Sequence, residues 1–194
     1  MEFYKKNAYD FSATRHSVWK SVQDFGVSFD NNSKVLDAGC GNGKNIDFYK
    51  SKTNIVGIDN CRKFVTICNE KGHSVKEGSI LEIPYPDNEF DFIMCIAVIH
   101  HLKNKTERIN AVKELLRVLK PGGDLLITVW ALESDEFSKK RRFVIGDNIV
   151  PFKKENRYYY IHDKTSFVNF CNNFNIKNNK IFWEKGNWNA VLKK

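Results

Sequence analysis

Methionine and proline are scarce in this chain, two and four among 194 residues, and no apolar run is longer than Phe92 to Ile99. A bilayer span needs about 20 consecutive apolar residues, so no segment reads as one. The opening Met1-Glu2-Phe3-Tyr4-Lys5-Lys6 lacks the apolar core of a secretory signal. The five cysteines, Cys40, Cys61, Cys68, Cys95 and Cys171, are odd in number, scattered and never spaced Cys-x-x-Cys. That excludes a disulfide framework and a zinc site, and leaves them as small apolar residues with no metal expected. Internal repeats and low-complexity tracts are missing too. The expectation is a soluble intracellular protein, cytoplasmic and compatible with the nucleus, without a membrane partner.

What is present begins at Asp37-Ala38-Gly39-Cys40-Gly41-Asn42-Gly43, after the apolar Val35-Leu36 and before an amphipathic stretch opening at Lys44. Strand, glycine loop and helix in that order make a cradle for a nucleoside, because glycine takes positive φ and lets the backbone lie against a ligand. A second acid, Asp59, ends the next apolar run, about twenty residues on, where a carboxylate grips ribose hydroxyls. A dinucleotide fingerprint needs its third glycine where Lys44 stands, and an acid opening the loop repels a pyrophosphate. Asp37 suits instead the ammonium and sulfonium charges of S-adenosylmethionine.

At 194 residues the chain is one domain's worth. Val18, Val22 and Phe25 recur at helical spacing, so Ser12 to Phe25 reads as a leading helix, capped by Ser12 and ended by Gly26. Strands are expected at Lys34–Asp37, Ile55–Asp59, His73–Glu77, Phe90–Ile96 and Asp124–Trp130. Helices are expected from Lys44 to about Ser51, from Arg62 to Lys71 and from Lys105 to Leu119, the last stopped by Pro121-Gly122-Gly123. Lys164–Asn172 reads as a helix, and Ile176–Trp183 with Trp188–Leu192 as a closing hairpin around Gly186-Asn187. Such alternation means an α/β fold with a mostly parallel, seven-stranded sheet and a C-terminal antiparallel hairpin.

The formal charge is +8, with Lys139-Lys140-Arg141-Arg142 and Lys153-Lys154-Glu155-Asn156-Arg157 both beyond Trp130. Such clusters fit a phosphate-backbone partner. They equally fit a solvated face in a chain rich in Lys and Asn, the pair an AT-rich genome favours.

The loop, Asp59, the tract Pro86-Asp87-Asn88-Glu89-Phe90-Asp91 and Leu119-Lys120-Pro121-Gly122-Gly123 resemble the class I S-adenosylmethionine-dependent methyltransferases, a Rossmann-like fold. Phe11-Ser12-Ala13-Thr14-Arg15-His16, Ile96-Ala97-Val98-Ile99-His100-His101, Trp130-Ala131-Leu132-Glu133, Val150-Pro151, Arg157-Tyr158-Tyr159 and Gly186-Asn187-Trp188 narrow the likeness. They resemble the eukaryotic tRNA methyltransferases that esterify carboxymethyluridine at the wobble position, the fungal enzyme and the methyltransferase domain of its AlkB-type animal relative. Two substrate-side stretches depart from that pattern: Ser17-Val18-Trp19 replaces Lys-Pro-Trp, and Val150-Pro151-Phe152 replaces Val-Pro-Trp. The resemblance implies one methyltransferase domain over 1–194, with a helical cap over 1–33 and a substrate-side insertion over 131–162. It implies cofactor contacts from Asp37, Ala38, Gly39, Cys40, Gly41, Gly43, Asp59, Asn60, Ser79, Ile80, Cys95, Ile96 and Ala97. Substrate or RNA contacts fall on Ser12, Thr14, Trp19, Trp130, Arg157, Tyr158 and Tyr159, with the tRNA anticodon loop as partner. It further implies a heterodimer with a small zinc-binding activator subunit, docked on a sheet edge at His73–Glu77 beside Phe64, Val65, Ile67 and Cys68.

Negative features agree. The Asn/Asp-Pro-Pro-aromatic element of exocyclic-amine methyltransferases is replaced by Cys95-Ile96-Ala97-Val98, and no proline precedes a cysteine as cytosine-C5 enzymes require. An oxygen acceptor remains. A carboxylic acid with pKa near ~4 is ionised at neutral pH and needs no general base. Arginine forks suit the placing of such an anion: Arg15 first, with Arg141, Arg142 and Arg157 behind it. His100 and His101 follow the fourth strand, at the edge where open α/β sheets bind ligands, and one of them faces the reacting methyl. Trp130 walls a pocket or fills the core; Tyr158-Tyr159-Tyr160 form a stacking surface or an alternating strand. Two rival classes stay open: an O-methyltransferase of a small carboxylic acid or hydroxyl, and a non-catalytic RNA-binding subunit.

Overall fold

Apolar residues at consecutive strand positions point to both faces of a sheet and require cover on each. The computed structural model describes residues 2–14, 17–133, 142–152, 155–176 and 180–194. Its elements are α1 (Glu2–Ser12), α2 (Lys20–Phe25), β1 (Lys34–Ala38), α3 (Lys44–Tyr49), β2 (Asn54–Asp59), α4 (Arg62–Glu70), β3 (Val75–Glu77), β4 (Phe90–Ile96), α5 (Lys105–Val118) and β5 (Leu119–Trp130). There follow β6 (Gly146–Phe152), β7 (Glu155–Ile161), α6 (Lys164–Cys171), β8 (Lys180–Glu184) and β9 (Asn187–Lys193).

Seven strands form one sheet in the order β3-β2-β1-β4-β5-β9-β8, while β6 and β7 pair as a separate hairpin. The first five are parallel to their neighbours, and β9 is antiparallel to both β5 and β8. Leu36, Ile93, Leu125 and Ile127 face α5 and α6, meeting Val112, Leu115, Phe167 and Phe170. Val35, Met94 and Leu126 face the other way, toward Val22 of α2, Ile46 and Tyr49 of α3, and Val65 and Cys68 of α4. Each such side chain contributes about 1.5–3 kcal/mol when fully buried. The strand order reverses between β1 and β4, which opens a crevice at their carboxyl ends.

Three expectations are corrected. The single leading helix is two helices: α1 ends at Ser12, and α2 starts after Trp19, whose backbone is extended. Ser12 is the last residue of α1 and not the cap of α2; its carbonyl accepts from Asn42 Nδ2 at 3.2 Å, which ties the end of α1 to the glycine loop. Gly26 does end α2, yet at φ −80°. A Cβ there would lie 2.2 Å from the Tyr49 hydroxyl oxygen, so a close approach demands this glycine.

Second, Pro121-Gly122-Gly123 does not separate helix from strand. The helix stops at Val118 and β5 is already paired at Leu119 with Phe90, with a register shift before Phe92. The Pro-Gly-Gly is an irregularity within β5, where a Cβ on Gly123 would press within 2.7 Å of the Asp91 carbonyl oxygen.

Third, the apolar face of α4 is not an available docking surface. Phe64 and Ile67 are buried against Ala8 and Tyr4 of α1, and Val65 and Cys68 lie in the core. β3, shortened to Val75–Glu77, remains the outermost strand of that side.

Candidate active site

The glycine loop hooks onto β2: the Gly39 and Cys40 N–H groups both donate to the Ile58 carbonyl, at 2.8 and 3.0 Å. Gly39 has φ +80°, and a Cβ would stand 2.5 Å from Val98 Cγ2, so only glycine fits. Asp59 closes the loop from the next strand, accepting from Gly41 N on Oδ2 at 2.9 Å and from Cys61 N on Oδ1 at 2.8 Å. Burial raises the Asp59 carboxyl, and those two donors oppose the rise. Each oxygen keeps a lone pair for a ribose hydroxyl.

Together these groups wall a cavity of about 150 Å³, bounded by Gly39–Asn42, Asn45, Asp59, Asn60, Gly78, Ile80 and Ile96–Val98, with Tyr4, Trp19, Lys44, Phe64 and His101 completing the lining. Its glycine cradle, ribose-facing acid and apolar adenine wall fit S-adenosylmethionine. Asp37 lies below the wall, 1% exposed, with Oδ2 accepting from Asn45 Nδ2 at 3.1 Å. Burial pushes its carboxyl up to about 7, with Asp59 adding to the rise and the Asn45 bond and Lys44 opposing it.

The sign of the resulting pH dependence is fixed. The folded value lies above the ordinary 3.8, so the cofactor-free fold holds a proton that the unfolded chain has already lost between about pH 4 and 7. This group therefore favours the fold at the acid end of that window and ceases to do so as pH rises through 7. A cationic ligand favours the ionised form. Affinity for S-adenosylmethionine should rise with pH up to about 7 and level off above it, with calorimetry in several buffers recording proton release below that point. A pH-independent affinity in which Asp37→Asn changes nothing would contradict the placement.

A second cavity, about 450 Å³, adjoins the first and shares Tyr4, Trp19, Lys44, Ala97 and His101 with it. Thr14, Ser17, Val18, Lys20, His100, Trp130, Tyr159 and the turn Glu184–Asn187 complete its wall. Ala97, at the junction, sits at φ +59°, a left-handed conformation uncommon for a non-glycine residue and a recurrent mark of functional sites. Trp130 stacks on Tyr159 with centroids 4.2 Å apart and planes at 16°. Glu184 Oε2 accepts from Ser21 N at 3.0 Å, clasping the C-terminal hairpin to α2.

The two histidines divide their roles. His101 Nδ1 lies 2.9 Å from the Tyr158 carbonyl, which only accepts, so Nδ1 carries the hydrogen and Nε2 accepts from the Tyr4 hydroxyl at 2.9 Å. Burial, aided by the Arg157 charge and opposed by the Tyr158 carbonyl, brings it down to about 4. His100 Nδ1 accepts from Trp130 N at 3.1 Å, which puts the hydrogen on Nε2, a buried atom without a hydrogen-bond partner. Burial holds His100 well below its usual range, with His101, His162 and Arg157 acting the same way and the Ala97 carbonyl opposing. Both rings are neutral at physiological pH.

Of the expected cofactor residues, Gly39, Cys40, Gly41, Asp59, Asn60, Ile80, Ile96 and Ala97 line the cavity. Ala38 and Cys95 do not; both are fully buried in the core beneath it. Gly43 begins α3 at φ +76° and its open side faces His73 and Cys68. Ser79 turns its hydroxyl to accept from Leu81 N at 3.1 Å, leaving Gly78 and Ile80 as the wall. Among acceptor-side residues, Thr14, Trp19, His100, His101, Trp130 and Tyr159 line the second cavity. Arg157 does not: it is 7% exposed, with its guanidinium 4.9 Å from the Phe152 ring and 5.2 Å from Tyr159. Tyr158 points away, donating to Asp147 and to the Lys103 carbonyl. Arg142 is exposed, and Arg15, Arg141, Lys139, Lys140, Lys153 and Lys154 lie outside the described residues. The sequence reading missed Tyr4, Lys44 and Asn45 and the Glu184–Asn187 turn; the helical i, i+4 spacing of Tyr4 and Ala8 was a usable sign of α1.

A family model described as a methyltransferase domain matches residues 36–127. A Schizosaccharomyces pombe tRNA (carboxymethyluridine(34)-5-O)-methyltransferase is 39% identical over 168 residues, covering 84% of this chain and 71% of the relative. An Arabidopsis thaliana protein of the same name is 41% identical over 135 residues, covering 70% of this chain. This chain spans only about a third of that relative's length, 33%. A SAM-dependent methyltransferase structure from Thermotoga maritima superposes with a TM-score of 0.74 at 17% identity, covering 100% of this chain and 99% of the other. That likeness establishes the class I methyltransferase fold.

Proposed function

This chain belongs to the family of tRNA (carboxymethyluridine(34)-5-O)-methyltransferases, and from that premise we propose that it methylates the carboxylate of a carboxymethyluridine in the anticodon loop of tRNA, using S-adenosylmethionine. The observation that carries this reading is the chemistry of the acceptor cavity. Its histidines are neutral, and their lone-pair nitrogens are engaged by Trp130 N–H and the Tyr4 hydroxyl. Glu184, the carboxylate on that wall, has one oxygen committed to the N-terminus of α2. Neither histidine is therefore poised as a general base, and His100 Nε2–H is a buried donor without a hydrogen-bond partner beside that cavity. A hydroxyl acceptor needs the base; an ionised carboxylate needs the donor.

In this reading His100 donates to one carboxylate oxygen, leaving the other to attack. Lys44 stands where both cavities meet, 5.1 Å from the Trp19 ring and bonded to the Ser17 carbonyl at 3.2 Å. Lys185 lies on the same wall, where Lys20 is paired with Asp24 at 2.7 Å and Glu184 is the carboxylate. Trp130, half-buried and backed by Tyr159, takes the uracil ring. S-adenosylmethionine, when bound, supplies the methyl on its sulfonium and leaves as S-adenosylhomocysteine. The residues of the chain thus contribute alignment and exclusion of water. Arg142, which is exposed, together with the basic residues that precede it in sequence carries the tRNA backbone, and the outer edge of β3 takes the zinc-binding activator subunit.

Incubation with methyl-labelled S-adenosylmethionine and undermodified total tRNA, followed by nucleoside digestion, tests the proposal. The label should appear in an alkali-labile uridine ester; label in a small-molecule ester, or none with activator present, overturns it. Trp130→Ala should reduce kcat/KM for tRNA roughly 10- to 100-fold, the loss of about 1–3 kcal/mol of base stacking, while leaving cofactor affinity within about twofold. Equal losses in both would return Trp130 to a purely structural role.

A further inference from the structure

We infer that Asn45 reads the α-ammonium group of the cofactor's amino-acid moiety through its side-chain oxygen, and that Asp37 stands behind it to fix the amide. The inference rests on the cofactor proposed above. Asn45 lies in the first turn of α3 and is 3% exposed. Its Nδ2 donates to Asp37 Oδ2 at 3.1 Å. The ionised carboxylate, the form a cationic ligand favours, accepts only, so in that form this bond determines which end of the amide faces inward: nitrogen to Asp37, oxygen to the other side. That oxygen, Oδ1, is buried without a hydrogen-bond partner, and Asn45 lines the cofactor cavity. A buried carbonyl left without a donor is costly, so its retention calls for a ligand donor.

The cavity wall identifies which donor. Asp59 and Asn60 mark the ribose end, Gly78 and Ile80 the adenine end, and Lys44, Ala97 and His101 the junction with the acceptor cavity. Asn45 sits beside the glycine loop, on the remaining side. The cofactor's own carboxylate is repelled by an amide oxygen; its ammonium is a cationic donor and is not. Asp37 itself does not line the cavity, so its negative charge reaches the ligand through the amide. The chain carboxylate, amide, ammonium polarises along its length, each bond strengthening the next.

The test compares S-adenosylhomocysteine with its desamino analogue, by calorimetry, on the full chain and on Asn45→Leu. The full chain should prefer S-adenosylhomocysteine roughly ten- to a hundredfold, as a charge-assisted bond implies. In Asn45→Leu that preference should shrink to within about threefold, while the desamino analogue binds nearly as before. A folded Asn45→Leu that keeps the full preference, or a parent chain that shows none, overturns the inference. Should the leucine variant fail to fold, Asn45→Ser serves: a reduced preference supports the assignment and an undiminished one overturns it. A parent chain that binds neither ligand removes the cofactor proposal itself, a result distinct from those above.

Discussion

Asp59→Ala is expected to cost at least roughly a hundredfold in affinity for S-adenosylmethionine. Two losses add. The ribose hydroxyls lose a charged acceptor worth about 1.5–3 kcal/mol per bond. The Gly41 and Cys61 N–H groups, now 2.9 and 2.8 Å from the carboxylate, become buried donors without an acceptor, and the loop that cradles the ligand loosens. Asp59→Asn, which keeps one oxygen, should lie between parent and alanine variant. Calorimetry on a variant that retains its circular dichroism decides the matter; unchanged affinity means that the acid does not grip the cofactor.

The chemical step is expected to be flat from about pH 6 to 8 when both substrates are saturating. The acceptor carboxylate titrates near ~4, and His100, held well below its usual range by burial, does not change charge in that window. His100→Ala should slow single turnover by roughly 10- to 100-fold, the value of a hydrogen bond to a charged group, without bending the profile. His100→Gln should recover part of the loss, because its carboxamide can accept from Trp130 N–H and donate from its nitrogen. A rising limb near pH 6.5 that vanishes in the alanine variant would identify a general base and favour a hydroxyl acceptor.

Local chemistry was legible in the sequence; junctions between distant segments were not. The glycine loop and Asp59 follow from spacing alone, since strand, turn and helix are contiguous there. That Asn45 lines the cavity while Asp37 lies behind it was hidden because an acid at a strand end does not announce whether it faces the ligand or lies one layer beneath. His100 and His101 could not be told apart for a related reason. Their difference lies in hydrogen bonds to Trp130 and to Tyr4, 97 residues from His101. The acceptor cavity owes its closure to Ser21 and Glu184, separated by 163 residues, a contact that no periodicity encodes. The misread leading helix shows the opposite failure: Val18, Val22 and Phe25 have helical spacing, but α1 ends at Ser12, whose carbonyl Asn42 of the glycine loop holds, and Trp19 is extended.

The wall common to the two cavities makes them thermodynamically interdependent. Tyr4 ties α1 to His101, and His101 in turn holds the Tyr158 carbonyl of the β6–β7 hairpin, so one continuous set of bonds borders the cofactor on one side and the acceptor on the other. If filling the smaller chamber steadies that set, it raises the affinity of the larger one for tRNA by some factor. Reciprocity then obliges tRNA to raise cofactor affinity by that same factor. The transferred methyl carries the cofactor's sulfonium charge away with it, so the factor differs before and after turnover. Under the proposed function, retention and release of the RNA would then be coupled to the charge on a single sulfur atom.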